Sequence, residues 1–275
     1  MLARQNVDPA TVEGFGREWQ HYDQSALAEG EAQRIFDEYF GLFDFNNLGE
    51  GFDLGCGSGR WARLVAPHAK KLHCIDPSDA IDVARQNLSD LPNVEFHRAS
   101  AEDIPLPDNS QDFGYSLGVL HHIPDPQRAL INAAHKLKPG AQMLVYIYYS
   151  LDNRRALYRS AWKASDAARK LISRLPFPLR RAATTAVAAT VYWPVARTAG
   201  LVERMGGNPA HIPLSPYRWK SFYTMRTDAL DRLGTRLEQR FSRAEIEQMM
   251  TKAGLTGIRF SERDPYWVAI GRKAG

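Results

Sequence analysis

Short apolar runs alternate with amphipathic segments between residues 50 and 150. The runs have the length and composition of buried strands, and three intervening segments place apolar residues at helical spacing. This alternation is typical of parallel strands joined by crossover helices. The predicted strands are GFDLG, KLHCIDP, NVEFHRA, QDFGYSLG and AQMLVYIYYS; the predicted helices are GRWARLVAPH, SDAIDVARQNL with Ser78 as N-cap, and DPQRALINAAHKL, closed by KPG.

The alternation stops at residue 151 and resumes near residue 242. Residues 151–241 are rich in arginine and aromatic residues, are punctuated by LPFPLRR and GGNPAHIPLSP, and predict helices and loops. SRAEIEQMMTKAGL predicts a helix with Ser242 as N-cap and Glu245 in the capping-box position. GIRFSERD and YWVAIGRK then predict a terminal β-hairpin. The sequence therefore predicts an α/β core interrupted by one helical insertion.

The positive charge of the chain is concentrated in that insertion. The 275 residues carry a formal net charge of +4, but residues 151–240 hold 17 Lys and Arg against 6 Asp and Glu, a balance of +11. Such a segment favours an acidic acceptor or an anionic surface as its partner. The alternative is that most of these arginines lie on solvated helix faces.

Three glycines within five positions follow the first predicted strand. Gly55, Gly57 and Gly59 stand where glycine allows a tight turn and lets a ligand contact bare amide groups. Asp76 ends the second predicted strand, where a carboxylate can accept hydrogen bonds from both hydroxyl groups of a ribose. The pattern indicates a nucleoside ligand. The competing interpretations are an ordinary turn for the glycines and a turn or helix-cap role for Asp76.

The residues around the glycines discriminate between nucleoside ligands. A dinucleotide fingerprint requires glycine at position 60, which is Arg60, and no P-loop lysine is present. Asp53 precedes the glycines, and a carboxylate there repels a pyrophosphate but attracts an ammonium group. An adenosyl ligand that bears an amino acid therefore fits better than NAD.

Four motifs occur in order along the chain: DLGCGSG, IDPS, ASAEDIPLPDNSQDFGYS and LGVLHHIPDP. Together they resemble the class I S-adenosylmethionine-dependent methyltransferases of the small-molecule, type 11-like kind, over residues 50–150 and 242–273. The resemblance implies an α/β fold with a Rossmann-like, doubly wound, seven-stranded sheet and an antiparallel C-terminal hairpin. It also implies a helical cap over the cofactor (1–49), a core (50–150 and 242–275) and a basic, helical substrate lid (151–241). The implied cofactor is S-adenosylmethionine, with S-adenosylhomocysteine as product.

The resemblance assigns a role to each motif. Asp53 and the glycines would hold the methionine part of the cofactor, and Asp76 its ribose. Ser100 stands where the family commonly has an acid that binds the adenine amino group, and its hydroxyl can still accept that bond. In similar methyltransferases an N-terminal helix folds over the cofactor, although its aromatic residues could instead only pack that helix onto the core. The implied cofactor-binding residues are Phe15, Trp19, Tyr22, Asp53, Gly55, Gly57, Asp76, Pro77, Ser78, Ser100, Ala101, Glu102, Leu117 and Gly118.

Transfer of a sulfonium methyl group requires mainly alignment of the acceptor and exclusion of water. A hydroxyl or ammonium acceptor must also lose a proton, and imidazole accepts protons near neutral pH. His121 and His122 are therefore the candidate catalytic bases, with loop-shaping hydrogen bonds as the alternative role. Acceptor contacts are predicted after the fifth strand and in the insertion, at Tyr146, Tyr149, Arg154, Tyr158, Trp219, Tyr223 and Arg226.

The predicted reaction is methylation of oxygen or nitrogen on a small, anionic, sugar-bearing or lipid-linked acceptor. A nucleic-acid methyltransferase is suggested by a pI near 9.0, but the chain lacks the catalytic tetrapeptide of amino-methylating DNA enzymes and any recognisable RNA-binding module. A cofactor-binding protein without turnover is the remaining alternative.

Location and assembly are predicted from the apolar stretch 182–196 and the cysteines. The stretch is expected to pack against the core, form a homodimer contact or lie in a membrane interface, in that order. The two cysteines form neither a disulfide framework nor a metal-ligand spacing, so no metal site is predicted. With no signal peptide recognised, the sequence predicts a cytoplasmic protein, compatible with peripheral contact at the inner membrane face.

Overall fold

The structure is a computed structural model that describes residues 6–24, 26–151 and 156–275. They form two compact units, the first taken from the ranges 1–24, 33–152 and 237–275, and the second from 25–32 and 153–236. In chain order the elements are α1 (Pro9–His21), α2 (Glu29–Phe40), β1 (Leu48–Leu54), α3 (Arg60–Val65), β2 (Ala69–Ile75), α4 (Ala80–Asn87), β3 (Val94–His97), β4 (Gln111–Leu117), α5 (Pro126–Lys136), β5 (Leu137–Tyr146), α6 (Ala156–Ile172), α7 (Phe177–Val187), α8 (Trp193–Arg204), α9 (Phe222–Gly234), α10 (Arg243–Lys252), β6 (Leu255–Phe260) and β7 (Val268–Lys273).

The first unit is built on one seven-stranded sheet with the order β3-β2-β1-β4-β5-β7-β6. Strands β1 to β5 pair in parallel, whereas β7 runs antiparallel to both β5 and β6. The predicted α/β fold and its antiparallel C-terminal hairpin are confirmed. The strand order reverses between β1 and β4, and in sheets of this kind ligands bind at the carboxyl ends of the strands at that point.

Two phenylalanine rings cover glycines where β1 pairs with β4. Gly51 is opposite Phe113, and Phe52 is opposite Gly114. A Cβ atom on either glycine would overlap the ring of its partner, and both rings are fully buried. Gly51, which makes β1 an unusual strand by composition, is therefore required by the packing of the central strands.

Replacing Gly114 with valine is expected to lower the free energy of unfolding by about 1–3 kcal/mol, because the new side chain must displace the Phe52 ring in a packed core. Chemical denaturation of the purified variant measures this change. Gly30→Ala is the control, since a Cβ at Gly30 meets nothing within 4 Å. Equal unfolding free energies for the two variants would contradict the packing argument.

The helix ends agree with the sequence prediction in one case and differ in two. Ser242 and Glu245 form the predicted capping box of α10. The N-cap of α4 is Asp79, one residue after the predicted Ser78, although the Ser78 hydroxyl oxygen still accepts the amide of Ala80 at 3.2 Å while its proton is donated to Asp76. The KPG segment follows α5 but lies inside β5, where the pairing with β4 shifts register between Gln111 and Phe113.

The second unit is helical, as predicted, and its arginines bond extensively to its own backbone. Among its described residues a small apolar core forms around Ala188, Tyr192 and Ala196 of the 182–196 stretch, while Val191 and Trp193 are exposed. The Arg169 guanidinium donates to the carbonyls of Thr235 and Arg236. The Arg180 guanidinium donates to the carbonyl of Gly234. The Arg197 guanidinium donates to the carbonyls of Arg218 and Lys220. Part of the positive charge therefore holds loops and helix ends in place. None of the described helices combines the length and apolar character needed to cross a bilayer.

Candidate active site

The glycine loop follows β1 at the point where the strand order reverses. Gly55, Gly57 and Gly59 all have positive φ angles, of 81°, 53° and 81°, a region that side chains rarely occupy. The amide of Gly55 donates to the carbonyl of Ile75 over 2.7 Å, which ties the loop to the end of β2. A Cβ on Gly55 would also overlap the side chain of Val119. The loop conformation therefore depends on its glycines.

Asp53 places a carboxylate beneath this loop. The residue is 1% exposed, and no described group is hydrogen bonded to its Oδ2. Burial raises the pKa of Asp53 well above its ordinary value, an effect that the nearby Tyr115 hydroxyl opposes and Asp76 reinforces. A buried carboxylate oxygen without a donor is costly. It is suited to an ammonium group of a ligand.

Asp76 is positioned as predicted at the end of β2, and it also holds the loop. Its Oδ2 accepts the amide of Gly57 at 3.0 Å, and its Oδ1 accepts the amide and the hydroxyl of Ser78 at 2.9 and 2.6 Å. A carboxylate offers about four acceptor positions, so about one remains for a ribose hydroxyl. A second becomes available when the Ser78 hydroxyl rotates away. The turn role and the ribose role are therefore compatible.

Helix α1 packs against the glycine loop and the turn after β2. The indole Nε1 of Trp19 lies 3.0 Å from the position that a Cβ on Gly57 would take. The backbone of α1 approaches that turn at Gly16, where an added Cβ would lie 3.3 Å from the amide of Asp79. The ring of Phe15 lies 5.0 Å from that of His122, and Tyr22 is buried at the end of the helix. The three predicted aromatic residues thus belong to a helix in contact with the loop.

The predicted adenine segment is held by hydrogen bonds of its own. The Ser100 hydroxyl accepts the amide of Glu102 at 3.1 Å, and the carbonyl of Ala101 accepts the side chain of Asn132 at 3.0 Å. Glu102 is also paired with Arg128 at 2.9 Å. These bonds fix the backbone of the segment. They engage the Ser100 hydroxyl, whose role toward adenine stays a prediction.

Gly118 opens the other side of the crevice, directly after β4. Its φ is +80°, and a Cβ added to it would meet nothing within 4 Å. Its amide donates to the carbonyl of Tyr146 at 3.1 Å. Gly118 therefore borders open space after the end of β4, whereas Leu117 is buried and Pro77 is exposed.

The two histidines are held in opposite tautomers. The Nδ1 of His122 lies 2.7 Å from the carbonyl oxygen of Leu237, and a carbonyl can only accept, so this nitrogen carries the proton. The Nδ1 of His121 accepts the amide of Tyr148 at 3.4 Å, so its proton is on Nε2, and its ring stacks on Tyr148 at 3.8 Å. In the neutral rings, Nε2 of His122 has the basic lone pair. His122 alone of this pair has the tautomer of a base acting through Nε2.

The predicted acceptor residues are distributed over both units. Tyr146 is buried in the first unit with its ring 5.0 Å from that of Tyr39, and Tyr149 packs against Tyr266 and Trp267. Trp219, Tyr223 and Arg226 lie partly buried in the second unit. Arg154 lies outside the described residues, and the structure describes only the backbone of Tyr158, in α6. The acceptor role of all seven stays a prediction.

Tyr115 is the site residue that the sequence analysis missed. It pairs with Asp53 across β1 and β4 and is fully buried beside that carboxylate. The sequence indicated only that Tyr115 lies in the fourth predicted strand, two residues before Leu117. In the structure this strand, β4, lies next to β1. Only the register of the two strands identifies it as the neighbour of Asp53.

The sheet order, the glycine loop after β1 and the acid after β2 define the class I methyltransferase fold. Residues 52–145 match the family described as "Methyltransferase domain". Residues 52–145 are therefore similar to a methyltransferase domain, and they lie in a sheet with the class I strand order. The sequence resemblance is confirmed.

Relatives with curated names resemble only part of the chain. The 27-O-demethylrifamycin SV methyltransferase of Amycolatopsis mediterranei is 32% identical over 127 residues, which are 44% of this chain and 46% of that protein. The ubiquinone biosynthesis O-methyltransferase of Coxiella burnetii is 30% identical over 104 residues, 37% of this chain and 43% of that protein. The chain thus spans less than half the length of each.

A solved structure resembles the chain over most of its length. It is an S-adenosylmethionine-dependent methyltransferase of Thermotoga maritima, with 20% identity, coverage of 95% of this chain and 93% of that chain, and a TM-score of 0.51. At this identity the likeness shows the fold alone.

The residues present fit the cofactor that this family implies, S-adenosylmethionine. The Asp53 carboxylate suits its ammonium group, and Asp76 has acceptor capacity for its ribose. Position 60 carries arginine where a dinucleotide site requires glycine, so the same loop is poorly suited to NAD.

Proposed function

We propose that the protein is a methyltransferase that moves a methyl group from S-adenosylmethionine to a hydroxyl oxygen of a small molecule. The buried Asp53 carboxyl group beside the glycine loop carries this proposal, because burial disfavours its ionised form unless a cation, such as the ammonium group of this cofactor, pairs with it. The two curated relatives are both named for methylation at oxygen, which supports oxygen over nitrogen.

The binding roles follow from the groups that line the crevice. Asp53 would hold the ammonium group, and Asp76 a ribose hydroxyl. Ser100, Ala101 and Glu102 would border the adenine ring on a backbone fixed by their own hydrogen bonds. Helix α1, packed on the loop through Trp19, would limit the entry of water.

When bound, S-adenosylmethionine supplies a methyl group already activated by its sulfonium, and it leaves as S-adenosylhomocysteine. As the new carbon–oxygen bond forms and the carbon–sulfur bond breaks, the acceptor hydroxyl must give up its proton. His122 would accept that proton at Nε2, because the carbonyl of Leu237 holds the ring with its proton on Nδ1. His121 would keep the loop in place through Tyr148.

The proposal also includes the chemical class of the acceptor. The +11 balance of residues 151–240 supports an acceptor with an acidic group, which includes sugar-bearing or lipid-linked anions. This support is weaker than the count suggests, since Arg169, Arg180 and Arg197 donate to carbonyls of their own unit. Contacts with a second copy of the chain or with a membrane surface, made through the exposed Val191 and Trp193, are likewise part of this proposal.

Calorimetric titration with S-adenosylmethionine, S-adenosylhomocysteine and NAD in parallel tests the cofactor assignment. We expect binding of the two adenosyl amino acids at micromolar concentrations and no heat with NAD. Asp53→Asn, which keeps the shape and removes the charge, is expected to weaken binding of both. Tight binding of NAD, or no binding of either adenosyl ligand, would refute the proposal.

The same titration repeated at lower pH tests the role of Asp53. Its pKa is raised by burial, so the ionised form that attracts an ammonium group is lost at a higher pH than for an ordinary carboxyl. Affinity of the wild-type protein should therefore fall as the pH is lowered through this raised pKa. In Asp53→Asn this pH dependence should be reduced, and an unchanged dependence would exclude Asp53 as its source.

A further inference from the structure

Three metal-ligating side chains come together on β2 and β3, outside the candidate active site. His73 pairs with Glu95 in the parallel register, and His97 lies two residues further along β3, so all three side chains share one face of the sheet. His73 is buried, His97 is partly buried and Glu95 is exposed. Together they form a His-Glu-His cluster whose carboxylate is open to solvent.

The ligand atoms already have the spacing of a metal site. His73 Nδ1 lies 3.0 Å from His97 Nε2 and 3.4 Å from Glu95 Oε2, and the last two atoms are 3.9 Å apart. A point equidistant from the three atoms, in their plane, lies about 2.0 Å from each, which is the distance of zinc from imidazole nitrogen and carboxylate oxygen. A cation could therefore bind with little movement of the side chains.

The charges around this point oppose one another, since the Lys71 ammonium disfavours a second cation and the Glu95 and Glu50 carboxylates favour it. Lys71 lies 2.6 Å from Oε1 of Glu95, which fixes the carboxylate while Oε2 is the oxygen nearer the two rings. Glu50, paired with Lys71 across β1 and β2, adds a second carboxylate to the neighbourhood.

We propose that His73, Glu95 and His97 form a binding site for a divalent transition metal of the zinc class. Two imidazole nitrogens and one carboxylate oxygen are a donor set that zinc accepts, with a water molecule as fourth ligand on the exposed side. The metal replaces the proton that the two rings share across their 3.0 Å contact.

The site is structural in its effect. It joins β3, the four-residue strand at the sheet edge, to β2. The carbonyl of His97 accepts the amide of Asp76 at 3.1 Å, so the cluster is connected to the turn that bears the predicted ribose acid. The proposal does not depend on methyl transfer.

Tag-free protein, stripped of metal by a chelator, tests the proposal by calorimetric titration with Zn²⁺ and visible absorption with Co²⁺. We expect one equivalent to bind, with a Co²⁺ spectrum of low coordination number and a rise in melting temperature of about 5 °C under saturation. His97→Gln should weaken binding by roughly 100-fold, since it removes a direct ligand. His211→Gln, at an exposed histidine of the second unit, is the control and should leave binding unchanged.

A second variant distinguishes the loss of a metal ligand from misfolding of the protein. Glu95 is exposed, so Glu95→Gln should keep the fold, as judged by circular dichroism of the metal-free protein, and still lose much of the affinity. Equal zinc affinity in the wild-type protein, His97→Gln and Glu95→Gln would overturn the proposal. It would show that the cluster is only a hydrogen-bonded pair of histidines beside an ion pair.

Discussion

Replacing His122 with asparagine is expected to reduce turnover by about 10²- to 10⁴-fold and to leave the affinity for S-adenosylmethionine unchanged. The asparagine amide can still donate to the carbonyl of Leu237, which lies 2.7 Å from the histidine Nδ1, so the loop contact is preserved. What the variant loses is the basic Nε2. Turnover with a hydroxyl acceptor and cofactor affinity by calorimetry are the two measurements.

His121→Asn is the matched control for this experiment. His121 uses its Nδ1 to accept the amide of Tyr148, and its ring stacks on that residue, so the variant should lower stability more than turnover. A pH–rate profile adds a second criterion, because loss of a general base removes the decline of activity at acidic pH. If both single variants and the double variant keep wild-type turnover, alignment of the acceptor alone accounts for the reaction.

The different roles of these adjacent histidines could not be read from the sequence. The segment LGVLHHIPDP presents two identical side chains, and the groups that fix their tautomers lie 27 and 115 residues further along the chain. The same limit applies to the His73, Glu95 and His97 cluster, which exists only through the register of β2 and β3. Local patterns predict elements, but contacts between elements depend on strand register.

The sequence was most informative for backbone features that depend on a few consecutive residues. The three glycines of the loop adopt positive φ angles, and Asp53 and Asp76 stand at the ends of β1 and β2 as predicted. The capping box at Ser242 is likewise local, and it was predicted correctly. The N-cap of α4 was predicted wrongly by one residue: it is Asp79, although the Ser78 hydroxyl oxygen accepts the amide of Ala80.

Charge counting had the least predictive value. The excess of arginine in residues 151–240 is a property of composition, whereas the availability of each guanidinium depends on its surroundings. Arg169 is 8% exposed and donates to two backbone carbonyls, so it contributes to the charge balance without presenting a surface for an anion. Identification of the acceptor therefore needs a substrate screen that does not assume an anion.

Replacing Asp76 with alanine is expected to weaken binding of S-adenosylmethionine by about 1–3 kcal/mol, which corresponds to roughly 5- to 150-fold in the dissociation constant. The loss has two sources. The ribose loses its carboxylate acceptor, and the glycine loop and the turn after β2 lose the hydrogen bonds that the amides of Gly57 and Ser78 donate to Asp76. Calorimetric titration gives the total effect, and a second ligand is needed to separate the sources.

An analogue of S-adenosylhomocysteine without ribose hydroxyl groups separates them. The wild-type protein should bind this analogue more weakly than the parent compound. Asp76→Ala should bind both compounds with similar affinity, because it lacks the carboxylate that accepts hydrogen bonds from the ribose hydroxyl groups. Ser78→Ala, which removes one of the three described hydrogen-bond donors to Asp76 but keeps the carboxylate, should retain the preference for the parent compound. If the wild-type protein and Asp76→Ala lose the same factor on removal of the hydroxyls, Asp76 holds the loop and another group binds the ribose.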